Sequence, residues 1–137
     1  MKISTKGRYA LRLMLDLAQE GQGRPVVLRD VAGRQEISEK YLEQLVSPLT
    51  RAGLLKSVRG AAGGYLLTKT PGEYTVGEIL RAQEGSLAVV DCAQDGRPCP
   101  RRASCPTALL WARLNRAVDE VVDATTLQDL IDEREKT

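Results

Sequence analysis

The run ISEKYLEQLVSPLTRAGLLKSVRGAAGGYLL, residues 37–67, decides how this chain folds. Ser38 reads as the N-cap of a helix, with Glu39 well placed at the positive end. Leu42, Leu45, Val46 and Leu49 recur at helical spacing and so face inward. Glu39, Lys40, Glu43 and Gln44 then lie on exposed faces, with Tyr41 near the boundary. Pro48 removes one helical hydrogen bond, which predicts a local bend or an early helix end. Two β-type runs follow, LLKSVR and YLLTK, separated by Gly60-Ala61-Ala62-Gly63-Gly64, the composition of a tight hairpin connection.

Upstream, TKGRYALRLMLDLAQEG reads as an amphipathic helix. Ala10, Leu13, Met14, Leu17 and Ala18 form its apolar face, with Ser4 or Thr5 as N-cap and Gly21 as stop. RPVVLRDVAGRQE predicts a short helix from Leu28 to Gln35. Downstream, Thr75 and Glu78 form a capping box that starts a helix at TVGEIL. A loop-like stretch comes next, where Gly96, Pro98, Pro100 and interspersed charges break any periodicity. Pro106 opens a long helix, PTALLWARLNRAVDEVV, with a stripe of Leu110, Leu114, Ala117, Val118 and Val121. TTLQDLIDERE closes the sequence as a short helix with a solvated acidic face. The fold class is therefore mainly α with a small β-hairpin wing.

The bulk properties narrow the function. Hydrophobic residues make up 42% of the 137, nearly all aliphatic, since there is no Phe. There is no histidine, which excludes Ser-His-Asp and Cys-His catalysis and imidazole metal ligands. No residue set resembles an active site, so the chain is not expected to be an enzyme. Met1-Lys2-Ile3-Ser4-Thr5 lacks the apolar stretch of a secretory signal, and no apolar run is long enough to cross a bilayer. The expectation is a cytoplasmic protein with no membrane association, in which thiols stay reduced. The net charge of +2 is unevenly spread: residues 1–70 carry 12 Lys and Arg against 6 acids, whereas residues 71–137 carry 8 against 12. A basic first half suggests an anionic partner, double-stranded DNA foremost, although ordinary surface charge accounts for the asymmetry equally well.

Three helices followed by a hairpin give the order of a winged helix-turn-helix. The major groove admits one helix, the preceding helix braces it, and the hairpin tip reaches the adjacent minor groove. The reading helix offers Ser38, Lys40, Tyr41, Glu43 and Gln44 to DNA, and the wing tip offers Arg59, whose charge suits a narrow minor groove. A small core without a nucleic-acid ligand, or a protein-interaction module, would use the same layout.

STKGRYALRLMLDLA, the 37–67 run and CPTALLW together closely resemble the IscR-like iron–sulfur cluster regulators, members of the Rrf-two type of bacterial winged-helix transcription factors. The resemblance covers about residues 1–130. It implies a homodimer on a pseudo-palindromic operator, with the long helix crossing its counterpart. On that basis residues 1–85 form the winged helix-turn-helix domain, 86–105 a cluster-binding loop, and 106–137 the dimerisation and C-terminal helices. The apolar stripe suits a dimer contact, and packing on the chain's own first helix would account for part of it. Trp111 is expected in the core or at the dimer contact.

All three cysteines, Cys92, Cys99 and Cys105, lie in that loop. The resemblance implies that they hold an iron–sulfur cluster, 2Fe–2S in the IscR-like members and 4Fe–4S in relatives that sense nitric oxide. Thiolate sulfur is the natural ligand for either. The fourth ligands of the two groups fall here on Ala108 and Arg8, neither of which can serve, and the first two cysteines stand one residue further apart than is usual in the family. The fourth ligand is left to Asp91, Asp95, Ser104, Thr107, Glu43, the partner subunit or solvent. Arg97, Arg101 and Arg102 either offset cluster and thiolate charge or are simply solvated. The implied function is a DNA-binding repressor of iron–sulfur cluster biogenesis genes that responds to cluster status. Nitric oxide or redox sensing within the same family is the alternative, and a zinc- or thiol-based interaction module is the alternative of another class.

Overall fold

The structure is a computed structural model and describes residues 2–93 and 99–136. Among the described residues six α-helices and one hairpin follow one another: α1 Thr5–Asp16, α2 Leu28–Gln35, α3 Glu39–Arg51, β1 Leu55–Val58, β2 Gly64–Leu67, α4 Val76–Glu84, α5 Ala108–Ala124 and α6 Leu127–Glu135. The mainly α class with a β-hairpin wing holds.

Local chemistry sets most boundaries. Ser4 accepts from the Gly7 N–H at 3.2 Å and Ser38 from the Tyr41 N–H at 3.1 Å, so each hydroxyl caps its helix. Thr75 and Glu78 close the expected capping box, and Thr126 with Asp129 forms another at α6. The first helix becomes π-helical over Leu17–Gly21. The extra residue in that turn shifts the phase, which leaves Ala18 half-buried while Ala10, Leu13, Met14 and Leu17 enter the core.

Two expectations need adjustment. α3 does not end at Pro48 but runs on to Arg51, because Leu45, Val46 and Leu49 are buried on both sides of the proline. The Thr50 hydroxyl donates to the Val46 carbonyl at 2.7 Å and supports that last turn. α5 begins at Ala108 instead of Pro106, since Cys105, Pro106 and Thr107 form a turn closed by the Ala108 N–H on the Cys105 carbonyl.

The core gathers Leu13 and Met14 of α1, Val31 of α2, Leu42, Leu45 and Leu49 of α3, and Tyr74, Ile79 and Leu127. The Tyr74 hydroxyl donates to the Leu54 carbonyl at 2.7 Å and accepts from the Thr68 N–H at 2.7 Å, which ties the base of the wing to that core. Val118 and Val122 of α5 pack on a second apolar group of Val76, Leu80 and Leu87. A backbone bridge between Thr75 and Thr126 pins the far end of α5 to the start of α4. The α5 stripe thus divides. Val118 turns inward, whereas Leu110, Leu114 and Val121 remain 46%, 41% and 65% exposed, with Leu109 beside them.

Candidate nucleic-acid interface and cysteine segment

α3 is held at the surface by its neighbours. Lys40, Glu43 and Gln44 are exposed, and Ser47 and Arg51 extend the same face by one and two further turns. Ser38 is exposed, yet its hydroxyl already accepts from Tyr41. Tyr41 is half-buried and meets Tyr9 of α1 edge to face, with centroids 5.7 Å apart. Its ring therefore anchors α3 as well as bordering the surface.

Beneath α3, α2 is locked to α1. Asp16, buried apart from 2% of its surface, accepts both arms of Arg34 at 3.0 and 2.7 Å and the Gln35 amide at 2.9 Å. A buried carboxylate without these donors would be costly, so the fork fixes the angle of α2. The fork also raises the Arg34 pKa further above its ordinary value. Arg12 adds a hydrogen bond to the Gln35 side chain and one to its carbonyl, while lying over the Tyr9 ring. Asp16 sits beside an apolar stripe and its partner lies 18 residues on, so residue patterning gave no sign of the pair.

The wing is a two-stranded antiparallel hairpin in which Leu55 pairs Leu67 and Val58 pairs Gly64. Val26 and Tyr65 exchange backbone hydrogen bonds of 3.0 and 2.8 Å, joining the hairpin to the α1–α2 connection. Gly64 is required at that seam, since a Cβ would overlap the Val26 carbonyl. Arg59 stands exposed at the tip, next to Gly60 with φ 105°.

The cysteine segment lies between α4 and α5 in the chain. Cys92 is exposed, Cys99 and Cys105 are half-buried, and all three are free thiols. Cys105 lies against the start of α5, its sulfur 3.3 Å from the Thr107 hydroxyl. That hydroxyl, followed by the backbone N–H groups of Thr107 and Ala108, holds the Cys105 pKa below the ordinary thiol value. Among the described residues no three Cys, Asp or Glu side chains converge on one point. The donor chemistry suits an iron–sulfur group, because three cysteine sulfurs are available, but the structure does not gather them. Of the candidate fourth ligands, Thr107 lies beside Cys105, Asp91 is exposed next to Cys92, and Ser104 leans on the Arg101 carbonyl. Glu43 is exposed on α3, whereas Asp95 and Arg97 lie outside the described residues. Arg101 and Arg102 are exposed.

Three side chains that patterning missed connect these parts. Asn115 of α5 accepts from the Val89 N–H at 2.8 Å and donates to the Ala93 carbonyl at 3.1 Å. Arg81 of α4 bonds Asp119 at 2.8 Å and Asp123 at 2.6 Å. Gln83 donates to the Leu45 carbonyl of α3 at 2.8 Å. Each partner lies 22 or more residues away, and a lone amide in a helical stretch carries no local signal of such a contact.

A helix presented on a braced three-helix core, followed by a wing pinned to that core, is the winged-helix layout that DNA-binding transcription regulators use. The chain belongs to the Rrf2 family, described as an iron-dependent transcriptional regulator, whose profile matches residues 3–133. It is 48% identical over 130 residues to the HTH-type transcriptional regulator CymR of Bacillus subtilis (strain 168), covering 95% of this chain and 89% of that one. The solved structure of CymR, the global cysteine regulator of B. subtilis, superposes with a TM-score of 0.79 at 47% identity, over 97% of this chain and 98% of CymR. IscR of Pectobacterium carotovorum is 41% identical over 135 residues, 98% of this chain and 82% of IscR. The structure of T. potens IscR superposes with a TM-score of 0.80 at 41% identity, over 99% and 90% of the two chains. These relatives are transcription regulators and not enzymes. Among the described residues no helix is long and apolar enough to cross a membrane.

Proposed function

We propose that this chain is a cytoplasmic, homodimeric repressor that reports iron–sulfur cluster status through Cys92, Cys99 and Cys105 and controls cluster biogenesis genes. The observation that carries the reading is that every cysteine of the chain falls in the one segment between the DNA-binding core and α5. Likeness to IscR and the family's iron dependence support it. An iron–sulfur group held there would supply a change of charge and redox state. Residues 1–85 read DNA, 86–105 sense and 106–137 dimerise.

Ser38, Lys40, Tyr41, Glu43 and Gln44 face the major groove in this reading, and Arg59 the minor groove. Leu110, Leu114 and Val121 form an apolar strip along one helix face, with Leu109 exposed to one side of it, and a second copy of α5 would remove the strip from water. A two-fold dimer of this kind matches a pseudo-palindromic operator. Three thiols require one further donor; the Thr107 hydroxyl, 3.3 Å from the Cys105 sulfur, and Asp91, next to Cys92 in the chain, are candidates.

Likeness to CymR, together with the lowered Cys105 pKa, favours a second reading, in which the thiols themselves respond to redox state or cysteine supply. Anaerobic purification with a visible spectrum and iron and sulfide counts separates the two. About two irons and two sulfides per chain support a 2Fe–2S sensor, and four of each favour 4Fe–4S and nitric oxide. Colourless protein that cannot be reconstituted removes the cluster reading and leaves the thiol one.

A further inference from the structure

Two side-chain amides link the cysteine segment to the back of α3, and neither lies on the DNA-facing surface or ligates anything. Asn115 uses both ends of its amide on one short stretch: its Oδ1 accepts from Val89 and its Nδ2 donates to Ala93. Those two backbone groups bracket Cys92. Any displacement of that cysteine is therefore passed to α5 through a two-point attachment.

α5 is in turn fixed to α4. Arg81 forks onto Asp119 and Asp123, and Val118 and Val122 pack against Val76 and Leu80. On the last turn of α4, Gln83 reaches α3 and donates to the Leu45 carbonyl. The position is telling. Pro48 has no N–H for the carbonyl of Gln44 four residues back, so the ladder of α3 is interrupted beside Leu45. Gln83 bonds the carbonyl next to the one that Pro48 leaves without its helical donor.

We propose that Asn115 and Gln83 are positioning residues that carry the state of the cysteine segment to the reading helix. The inference rests on the reading that the cysteines sense. Movement of the segment at Cys92 shifts α5 through Asn115. α4 follows through the Arg81 fork, and the Gln83 amide then moves the middle of α3 relative to α1.

The test uses the full chain as wild type, Asn115→Leu, Asn115→Asp, Gln83→Leu and the Asn115→Leu/Gln83→Leu double variant. Each is prepared apo and reconstituted anaerobically, with iron and sulfide counted. Affinity is measured for DNA selected in vitro on the wild type, and hydrogen–deuterium exchange is followed over residues 39–51 and 86–93. In the wild type the two forms should differ in affinity by about 5- to 150-fold, the usual range of allosteric coupling. Asn115→Leu and Gln83→Leu should keep the cluster, keep apo affinity within about twofold, and bring that ratio to near one. The double variant should lose no more than either single one, because the residues act in series. Asn115→Asp keeps the acceptor for Val89 but sets an oxygen against the Ala93 carbonyl, and should fall between; it also serves if the leucine variant does not fold. In the apo protein Asn115→Leu should speed exchange across 39–51, and Gln83→Leu across 86–93. Wild-type ratios in both single variants, or exchange altered only beside the substituted residue, overturn the proposal. A wild-type ratio of one with cluster bound would instead remove the sensing reading. The exchange arm then decides the linkage alone, and unaltered 39–51 exchange in Asn115→Leu refutes it.

Discussion

Gly77→Ala tests the α4–α5 seam, and the expected sign runs against helix propensity. Gly77 lies in the first turn of α4, under the Arg81 fork. A Cβ there would overlap the Asp123 carboxylate and stand 2.6 Å from Arg81 Nη1 and 3.2 Å from Val122 Cγ2. Alanine in a helix normally gains up to about 1 kcal/mol over glycine. Against that, forcing a methyl group into a filled contact costs about 1–3 kcal/mol. Displacing Arg81 from Asp119 and Asp123, all at least 36% exposed, adds no more than about 1 kcal/mol. The overlapped Asp123 and Arg81 atoms are tips of flexible side chains that can swing aside, so the net expectation is at the low end, a loss of about 1 kcal/mol. Gly33 in α2 is the control, because nothing lies within 4 Å of its would-be Cβ. Gly33→Ala should stabilise by up to about 1 kcal/mol. Urea unfolding at fixed protein concentration, which keeps any dimer contribution constant, measures both. If Gly77→Ala matches or exceeds the wild type while Gly33→Ala stabilises, the seam is not as tight as the structure has it.

Four further outcomes are expected. Arg59→Ala should weaken operator binding and lower the salt slope by about one unit; an unaltered slope removes the wing contact. Glu43→Ala should change which operators are preferred, since a carboxylate repels phosphate but accepts from a cytosine amino group, and identical preferences in both apo and loaded protein would remove that role. Tyr74→Phe should cost about 1–3 kcal/mol in urea unfolding, as the Leu54 carbonyl and Thr68 N–H lose a buried partner; a loss too small to resolve argues against the tie. Because the Cys105 pKa is lowered, its thiolate fraction at neutral pH is raised, so alkylation at Cys105 should show a pH midpoint below that of a free thiol. Thr107→Val should move the midpoint up, and an unmoved midpoint would exclude the hydroxyl as its cause.

What residue patterning captured was local. Ser38 as cap, the limits of α2 and the Thr75–Glu78 box each depend on residues within one turn of one another, and the structure has all three. Periodicity failed where the period itself changed, at the π-turn that displaces Ala18. It was silent where one polar side chain crosses between elements. Asn115, Gln83 and Asp16 each look solvated in sequence, and their partners lie 18 to 38 residues away. Tyr41 shows a different limit: a residue at the edge of an apolar stripe can serve the core and the surface together, and spacing cannot separate the two. The cysteines were conspicuous by type, but residue type does not bring sulfur atoms together.

The Thr75–Thr126 bridge makes α5 a lever with its fulcrum at one end. With 17 residues the helix is about 25 Å long. Since its C-terminal end is pinned to α4, a push at the cysteine end can only tilt it. A displacement of about 1 Å at Ala108 becomes a tilt of about 2° over that length. In a two-fold dimer, tilts about a line perpendicular to the two-fold axis would run in opposite senses in the two copies, so they would add in the angle between the subunits. The distance between the two reading helices would depend on that angle, so an ångström-scale push at the cysteine end would be read out as a preference in operator spacing.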